Sequence, residues 1–452
     1  MVSNRLSRWT PLFFVCAVVN FLLAQLVLLS GMAYPQQSWF APGTLVAVHL
    51  LTVGWLLLLV LGALLQFVPV ITNQMLPHQS LGLVALICIQ AGLIAMICGF
   101  IGVGLGTMLA HCLPVGGGLV IIGVLIAAGD IAVPLFKSRP LPLPGRMVAT
   151  AMLFLVLTVS LGLLLALALN LPWLARWLSP LLAHGVGYHA LAGLGGWFTL
   201  AAMGVSYKLF PMFMLAPEER GALGEWVHYT GAAGFAIAVI AGLLRCWYPL
   251  PVLRVLELLG YAVVGVAVVL YLVDMARIYR SRKRALIELQ NRAALGAFFM
   301  LGLAALVALA SLLTGSLAAH LPLLVFLILF GWLGGLGLTQ LYKIVPFLTW
   351  LARFGKQLGR GRVPRVQDLV NESYATPWFV IYFVGVLLAI PAFSGFSTDF
   401  YKVAGTLILL SSLMLALEYW RAWRGHYVDQ QEEKPQVPPF MTNKEGNSHG
   451  GD

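Results

Sequence analysis

Charged residues are scarce in this chain of 452 residues: only 10% are Asp, Glu, Lys or Arg, whereas 60% are hydrophobic. So little charge excludes an ordinary water-soluble domain, because such a domain needs a largely polar surface. Apolar runs of about 20 residues recur along the whole chain instead, and each can cross a hydrocarbon core of roughly 30 Å as a helix. The composition therefore predicts an integral membrane protein with the lipid bilayer as its main partner.

Several other sequence signals are missing as well. The five cysteines have no C-x-x-C spacing, which argues against a disulfide or metal framework. No G-x-x-x-x-G-K-[ST] segment occurs, so nothing indicates ATP hydrolysis. The first apolar run is too long for a cleavable signal peptide and lacks a small-residue cleavage site.

Twelve apolar runs predict an all-α, polytopic protein with twelve transmembrane helices. We expect these helices at about 9–33, 42–71, 80–102, 109–135, 147–170, 182–214, 226–244, 252–276, 293–315, 320–350, 376–395 and 402–422.

One sequence motif occurs three times in the chain. A Gly-Trp pair is followed by Gln or Lys and then, 14 residues after the Trp, by Pro. The copies are Gly54-Trp55 with Gln66 and Pro69, Gly196-Trp197 with Lys208 and Pro211, and Gly331-Trp332 with Lys343 and Pro346.

The three copies of this motif fall on the predicted second, sixth and tenth helices. Twelve helices and three copies predict three tandem four-helix repeats, at about 9–135, 147–276 and 293–422, related by pseudo-threefold symmetry. We expect residues 1–424 to form a single transmembrane domain. The polar segment 425–452 is predicted to be a disordered cytoplasmic tail.

The formal net charge is +11, and the basic residues behind it follow the distribution expected of a membrane protein. Basic residues cluster between the predicted helices 4 and 5, 8 and 9, and 10 and 11, whereas alternate loops carry almost none. The positive-inside rule then places both termini in the cytoplasm, in a bacterial-type inner membrane. We expect no nucleic-acid partner, because the clusters are explained as a topology signal.

Five histidines fall at or near the predicted outward-facing helix ends, and they are the candidate cofactor or metal ligands. The alternative for each is an interfacial or core side chain without a ligand. His49 lies 20 residues before its Pro and His189 lies 22 before its own, just inside the outer boundary. The other three are His111, His184 and His320.

Four further residues are candidates for a proton path. Lys208 and Lys343 mark the inner ends of their helices, where reaching towards the headgroups is the alternative role. Asp130 and Glu257 are mid-helix carboxylates, and a charge within a membrane helix is costly enough to suggest a function.

These features resemble the catalytic subunit of heme-copper oxidases, closest to the C-type oxidases and the nitric oxide reductases. Their tenth helix carries an H-x-H-x-x-x-x-G-W pattern, whose second half is similar to the segment from His49 to Gly54-Trp55 with Pro69. The segment from Tyr188-His189 to Pro211 resembles the sixth helix, which holds a copper ligand. Pro217-Glu218-Glu219-Arg220 and Trp226-Val227-His228 resemble the loop and helix that follow.

The resemblance implies heme b in the outer half of the membrane, with His49 as one axial ligand and His189 or His184 as its partner. It implies copper only as a possibility, with His189, His111 and His320 as the metal-ligand candidates. A cytochrome c-like or other membrane subunit is the protein partner it implies.

The chain departs from that family where dioxygen would react. Leu324 and Phe326 stand where the tenth helix would carry its two histidines, and the adjacent histidine pair after the seventh helix is missing. The chain by itself is therefore not expected to be a proton-pumping dioxygen reductase. His49 and His189 also differ by two residues in offset, about 200° around a helix, so the pattern does not require their rings to face one centre.

Three functions remain open on the sequence. The first is a heme-binding membrane protein for electron transfer or for chemistry on a small gas such as nitric oxide or oxygen. The second is a non-redox carrier or assembly factor for heme or copper. The third is a twelve-helix secondary transporter, which the three parallel repeats disfavour because such transporters usually have two related halves.

Overall fold

The computed structural model describes residues 7–217, 221–358, 363–395 and 397–428, and every regular element within them is a helix. Twelve helices are long and apolar enough to cross a membrane, which confirms that prediction. They are α1 Thr10–Leu29, α2 Pro42–Thr72, α3 Leu81–Leu105, α4 Met108–Lys137, α5 Leu143–Asn170, α6 Val186–Met214, α7 Ala222–Trp247, α8 Pro251–Arg280, α9 Leu289–Leu313, α10 Leu317–Gln357, α11 Glu372–Phe393 and α12 Asp399–Arg424.

Three of these helices form the centre of the bundle. In α2, α6 and α10 the most apolar stretch is 67%, 67% and 72% buried, whereas no other spanning helix exceeds 50%. The three contact one another, and the remaining nine pack around them. α12 packs against α1, so the outer helices close into a ring.

Each central helix contains an eight-residue π-helical segment. These segments are Leu50–Leu57 in α2, Ala192–Thr199 in α6 and Leu327–Gly334 in α10. The extra residue per turn leaves backbone groups off the regular hydrogen-bond pattern, and such segments are frequent at functional sites. The motif Trp is the sixth residue of every segment and is fully buried, as Trp55, Trp197 and Trp332.

Small residues let neighbouring outer helices approach closely. A Cβ on Gly92 of α3 would lie 2.7 Å from the carbonyl oxygen of Gly116 on α4. Likewise, a Cβ on Gly234 of α7 would lie 2.8 Å from the backbone nitrogen of Val264 on α8. Because lipid supplies no hydrophobic drive between helices, this close van der Waals packing is what holds such pairs together.

A short helix between α5 and α6 was not predicted. It runs from Pro172 to His184, ends at Gly185 and places Leu181 against Leu161 and Leu165 of α5. Trp173 and Trp177 are exposed on it, as expected for a helix at a membrane interface. The prediction that α6 begins at 182 was therefore four residues early, and His184 belongs to this connecting helix.

The predicted tail 425–452 lies outside the described residues except for its first four. Gly425 ends α12 with a left-handed backbone, and the Tyr427 hydroxyl donates a 2.7 Å hydrogen bond to Glu418. Of the predicted loop motif 217–220, only Pro217 is described.

The glycine before each motif Trp has no room for a side chain. A Cβ on Gly54, Gly196 or Gly331 would lie 2.6 Å from Asn20, 2.3 Å from Phe154 or 2.7 Å from Met300. We expect valine at any of the three to lower the stability of the protein by about 1–3 kcal/mol, because overpacking forces neighbours to move. Thermal unfolding in detergent measures the effect.

Gly118→Val and Gly265→Val are the matched controls, since nothing lies within 4 Å of a Cβ at either position. An equal loss of stability in these controls would mean that valine is harmful in any of these helices, and the packing explanation would be wrong.

Candidate functional site

His49 lies on α2, directly before the π-helical segment, and its ring is partly buried. The ring packs 4.7 Å from that of Phe100 on α3. Its Nδ1 lies 2.8 Å from the backbone carbonyl oxygen of Leu45. Because a carbonyl can only accept, Nδ1 carries the proton in the neutral ring, and Nε2 keeps the lone pair that a metal needs.

His189 on α6 is held in the same way. Its Nδ1 lies 3.0 Å from the carbonyl oxygen of Thr158 on α5, so Nε2 again keeps the lone pair. Gly162 on α5 leaves space for the ring, since a Cβ there would lie 3.0 Å from Cε1 of His189. A histidine whose second nitrogen donates to a backbone carbonyl has the usual arrangement of a metal-ligating histidine.

The two histidines lie on two of the three central helices, α2 and α6, which contact each other directly. Both are near the start of their helix, and the rings are near enough for the charge of one to affect the other. Each ring therefore offers a free Nε2 at the same end of the bundle, and two imidazole nitrogens are the kind of ligand that axial ligation of one heme uses.

The other candidate histidines lie elsewhere. His111 and His184 are exposed, and Nδ1 of His111 lies 3.1 Å from the carbonyl oxygen of Met108. Nδ1 of His320 lies 3.1 Å from the hydroxyl and 3.2 Å from the carbonyl oxygen of Ser316. Across the described ranges, no three His, Cys, Asp or Glu side chains come together where they could hold a metal ion.

Glu257 lies in a dense network at the end of the bundle where α6 and α8 begin. Its carboxylate accepts hydrogen bonds from Tyr188 at 3.1 Å and Tyr261 at 2.8 Å. Nε of Arg245 lies 2.9 Å from it, and Nη1 of Arg254 lies 3.4 Å away. This network joins α6, α7 and α8 and compensates a carboxylate that would otherwise be costly to bury.

Asp130 is buried near the end of α4. One carboxylate oxygen accepts the backbone N–H of His78 at 3.0 Å, and the His78 ring nitrogen lies 3.7 Å from the same oxygen. The His78 side chain is exposed, so the contact joins a buried carboxylate to the surface between α2 and α3. Lys208, near the end of α6, is partly buried.

Lys343 forms an ion pair that the sequence pattern did not reveal. Its Nζ lies 2.7 Å from Oε2 of Glu288, a buried residue just before α9. Gln367 donates to Glu288 at 2.6 Å, and Arg284 and Gln290 donate to it as well. Glu288 follows a run of basic residues, so in the sequence it reads as part of a polar loop.

The Glu288 network gives a prediction for stability. Glu288→Gln leaves Lys343 buried beside Arg284 without its carboxylate, and we expect a loss of about 3–5 kcal/mol, as for other broken buried ion pairs. Glu372→Gln is the control, because it removes the exposed pair with Arg292 and should cost less than about 1 kcal/mol. Unfolding of both variants in detergent tests this, and equal losses would contradict it.

No protein-family model and no curated protein matches this chain. Within the described structure, the two imidazoles anchored through Nδ1 on central helices, His49 and His189, are the groups best suited to hold a cofactor.

Proposed function

We propose that the chain is a membrane cytochrome that transfers electrons through one heme b, held between α2 and α6 by His49 and His189. The observation behind the proposal is that two neighbouring central helices each carry, near the same end of the bundle, an imidazole with Nδ1 on a backbone carbonyl and Nε2 free. Bound heme b supplies the change between ferric and ferrous iron, which moves one electron at a time. The chain's own part is to bind, orient and enclose it.

The two free Nε2 atoms favour electron transfer over chemistry on a gas. If both Nε2 atoms bind the iron, no coordination position stays open for nitric oxide or oxygen. A second metal is not part of the proposal, because within the described ranges no three His, Cys, Asp or Glu side chains come together to hold one. The likeness to heme-copper oxidases is kept only for the helix architecture and a heme near the start of the second helix.

The three-repeat architecture is also part of the proposal. The first, fifth and ninth helices each pack against the central helix that follows them. In each of these pairs the glycine before Trp meets a side chain of the preceding helix, and in each the Trp is sixth in its π-helical segment. Within the described chain, all three indole nitrogens are buried without a hydrogen-bond partner. These four shared features support an ancestral four-helix unit repeated around one axis.

The proposed repeats would also let two histidines from inequivalent positions turn towards the same space. Counted back from the motif Trp, His49 is at the sixth position and His189 at the eighth. Around a threefold axis, neighbouring central helices turn opposite flanks towards the space between them. These positions lie about 200° apart around a helix and can fill that role. The equivalent positions of α10 hold Leu324 and Phe326, and Phe326 stacks on Phe393 at 4.0 Å between ring centroids.

We also infer that both chain termini lie in the cytoplasm. α1 begins and α12 ends at the same end of the bundle, since an even number of spans separates them. Basic residues are concentrated at that end, including Arg277, Arg280, Arg353 and Arg424. The pair His49 and His189 lies near the starts of α2 and α6, so the heme would sit in the outer half of the membrane.

The repeat proposal is tested by an experimental structure of the protein in lipid. Rotation by one third of a turn about the membrane normal should superpose α5–α8 on α1–α4 and α9–α12 on α5–α8. The motif Trp side chains should then coincide. Central helices that need different axes, or Trp side chains on different flanks, would contradict the proposal.

The heme proposal predicts a b-type reduced-minus-oxidised optical spectrum for the purified protein. His49→Ala and His189→Ala should each abolish it or convert it to a five-coordinate spectrum, because each removes one axial nitrogen. His320→Ala should leave it unchanged. Carbon monoxide should bind slowly or not at all to the reduced unaltered protein and rapidly to the single variants.

Two results would contradict this assignment. An unchanged spectrum in both variants would place the heme elsewhere. Rapid carbon monoxide binding to the unaltered protein would mean an open coordination position, and the function would then be chemistry on a gas rather than electron transfer.

A further inference from the structure

A groove of about 640 Å³ runs along the membrane-facing side of the bundle between α1, α10 and α12. Its wall is almost entirely apolar and includes Phe14, Val15, Val18, Leu341, Leu348 and Trp420. Val15 and Trp420 are about half exposed, so the groove opens towards the lipid and is not an internal cavity. It lies at the seam where the last helix of the chain packs against the first.

The groove has the length of one leaflet of a bilayer. Along α1 its lining extends from Pro11 to Val19, and along α12 from Ala416 to Arg424. Eight residues of helix rise about 12 Å. One half of a hydrocarbon core is about 15 Å thick. A ligand filling the groove would therefore reach from the headgroup level to near the middle of the membrane.

Among the described residues that line the groove, two are charged, and both are arginines at its headgroup end. Arg353 lies in the last α-helical turn of α10 and donates to the backbone carbonyl of Trp423 at 3.3 Å. The Arg424 guanidinium lies 5.0 Å from the centre of the Trp420 ring. No carboxylate lines the groove among the described residues. Both arginines are exposed, so both keep N–H donors for an anion at the membrane surface.

We propose that this groove binds an anionic phospholipid, with its acyl chains along the apolar wall and its phosphate between Arg353 and Arg424. The two cations favour a headgroup with net negative charge over a zwitterionic one, because each basic residue at a membrane surface attracts anionic lipid. Trp420 and Trp423 suit the interface, where an indole has one apolar and one polar side. The lipid would also fill the seam between α1 and α12, where no loop links the two helices.

Native mass spectrometry of the full chain tests the proposal. Phosphatidylglycerol and phosphatidylcholine with identical acyl chains are titrated against the protein in detergent. We expect the unaltered chain to retain phosphatidylglycerol at least about tenfold better. The double variant Arg353→Gln/Arg424→Gln should lose this preference but still bind both lipids weakly. Val15→Trp, which fills the groove and leaves the charges, should reduce the binding of both.

The double variant Arg277→Gln/Arg280→Gln is the control, because it removes two exposed arginines from the same end of a different helix. It should keep the full preference. Equal retention of the two lipids by the unaltered chain would overturn the proposal. So would an equal loss of preference in this control, undiminished binding of both lipids after Val15→Trp, or occupation of the groove by a partner helix instead of lipid.

Discussion

The hydrocarbon core of the bilayer is the constraint on which the rest of this structure depends. No water is present there to satisfy a backbone N–H or carbonyl group, and each unsatisfied group costs several kcal/mol. The chain therefore crosses as helices, and its few buried charges come with partners. Glu257 has two arginines and two tyrosines, and Glu288 has a lysine, an arginine and two glutamines. Several of the few charged residues are therefore found together in these two networks.

The same constraint shapes the candidate site. A neutral imidazole in an apolar region needs a partner for its N–H, and the nearest acceptors are carbonyl oxygens of the helices. His49 uses a carbonyl of its own helix, and His189 uses one from α5. In both cases the backbone takes the proton-bearing nitrogen and fixes the ring. The other ring nitrogen, Nε2, keeps its lone pair and is able to bind a metal. The hydrogen bond that satisfies the buried N–H therefore also orients the ring as a ligand.

Much of the fold could be predicted from the sequence, because membrane helices can be identified by their length and hydropathy. The twelve spans are confirmed, with α4 found at Met108–Lys137 against a predicted 109–135. The connecting helix Pro172–His184 was missed because its short amphipathic pattern adjoins the apolar run of α6. The π-helical segments were also missed, because the hydrophobic period hardly changes over eight residues. The Gly-Trp motif nevertheless marks their place in the sequence.

The site was predictable only in its residue types. The spacing of His49 and His189 pointed to ligands, but their difference in offset left it open whether they meet. That answer depends on how α2 and α6 face each other, which one sequence does not encode locally. The Thr158 carbonyl and the space at Gly162 leave no recognisable pattern either. Lys343 was identified as a candidate, yet its partner Glu288 lies 55 residues away and only the fold brings them together.

The proposed function depends on two imidazoles, His49 and His189, holding one heme between α2 and α6. Electron paramagnetic resonance of the oxidised, purified protein tests it most directly, because the spin state of ferric heme reports its axial ligands. We expect a low-spin signal typical of two histidine ligands, with spin counting that gives one such heme per chain. A high-spin signal, or a preparation loaded with heme that gives no low-spin signal, would contradict it.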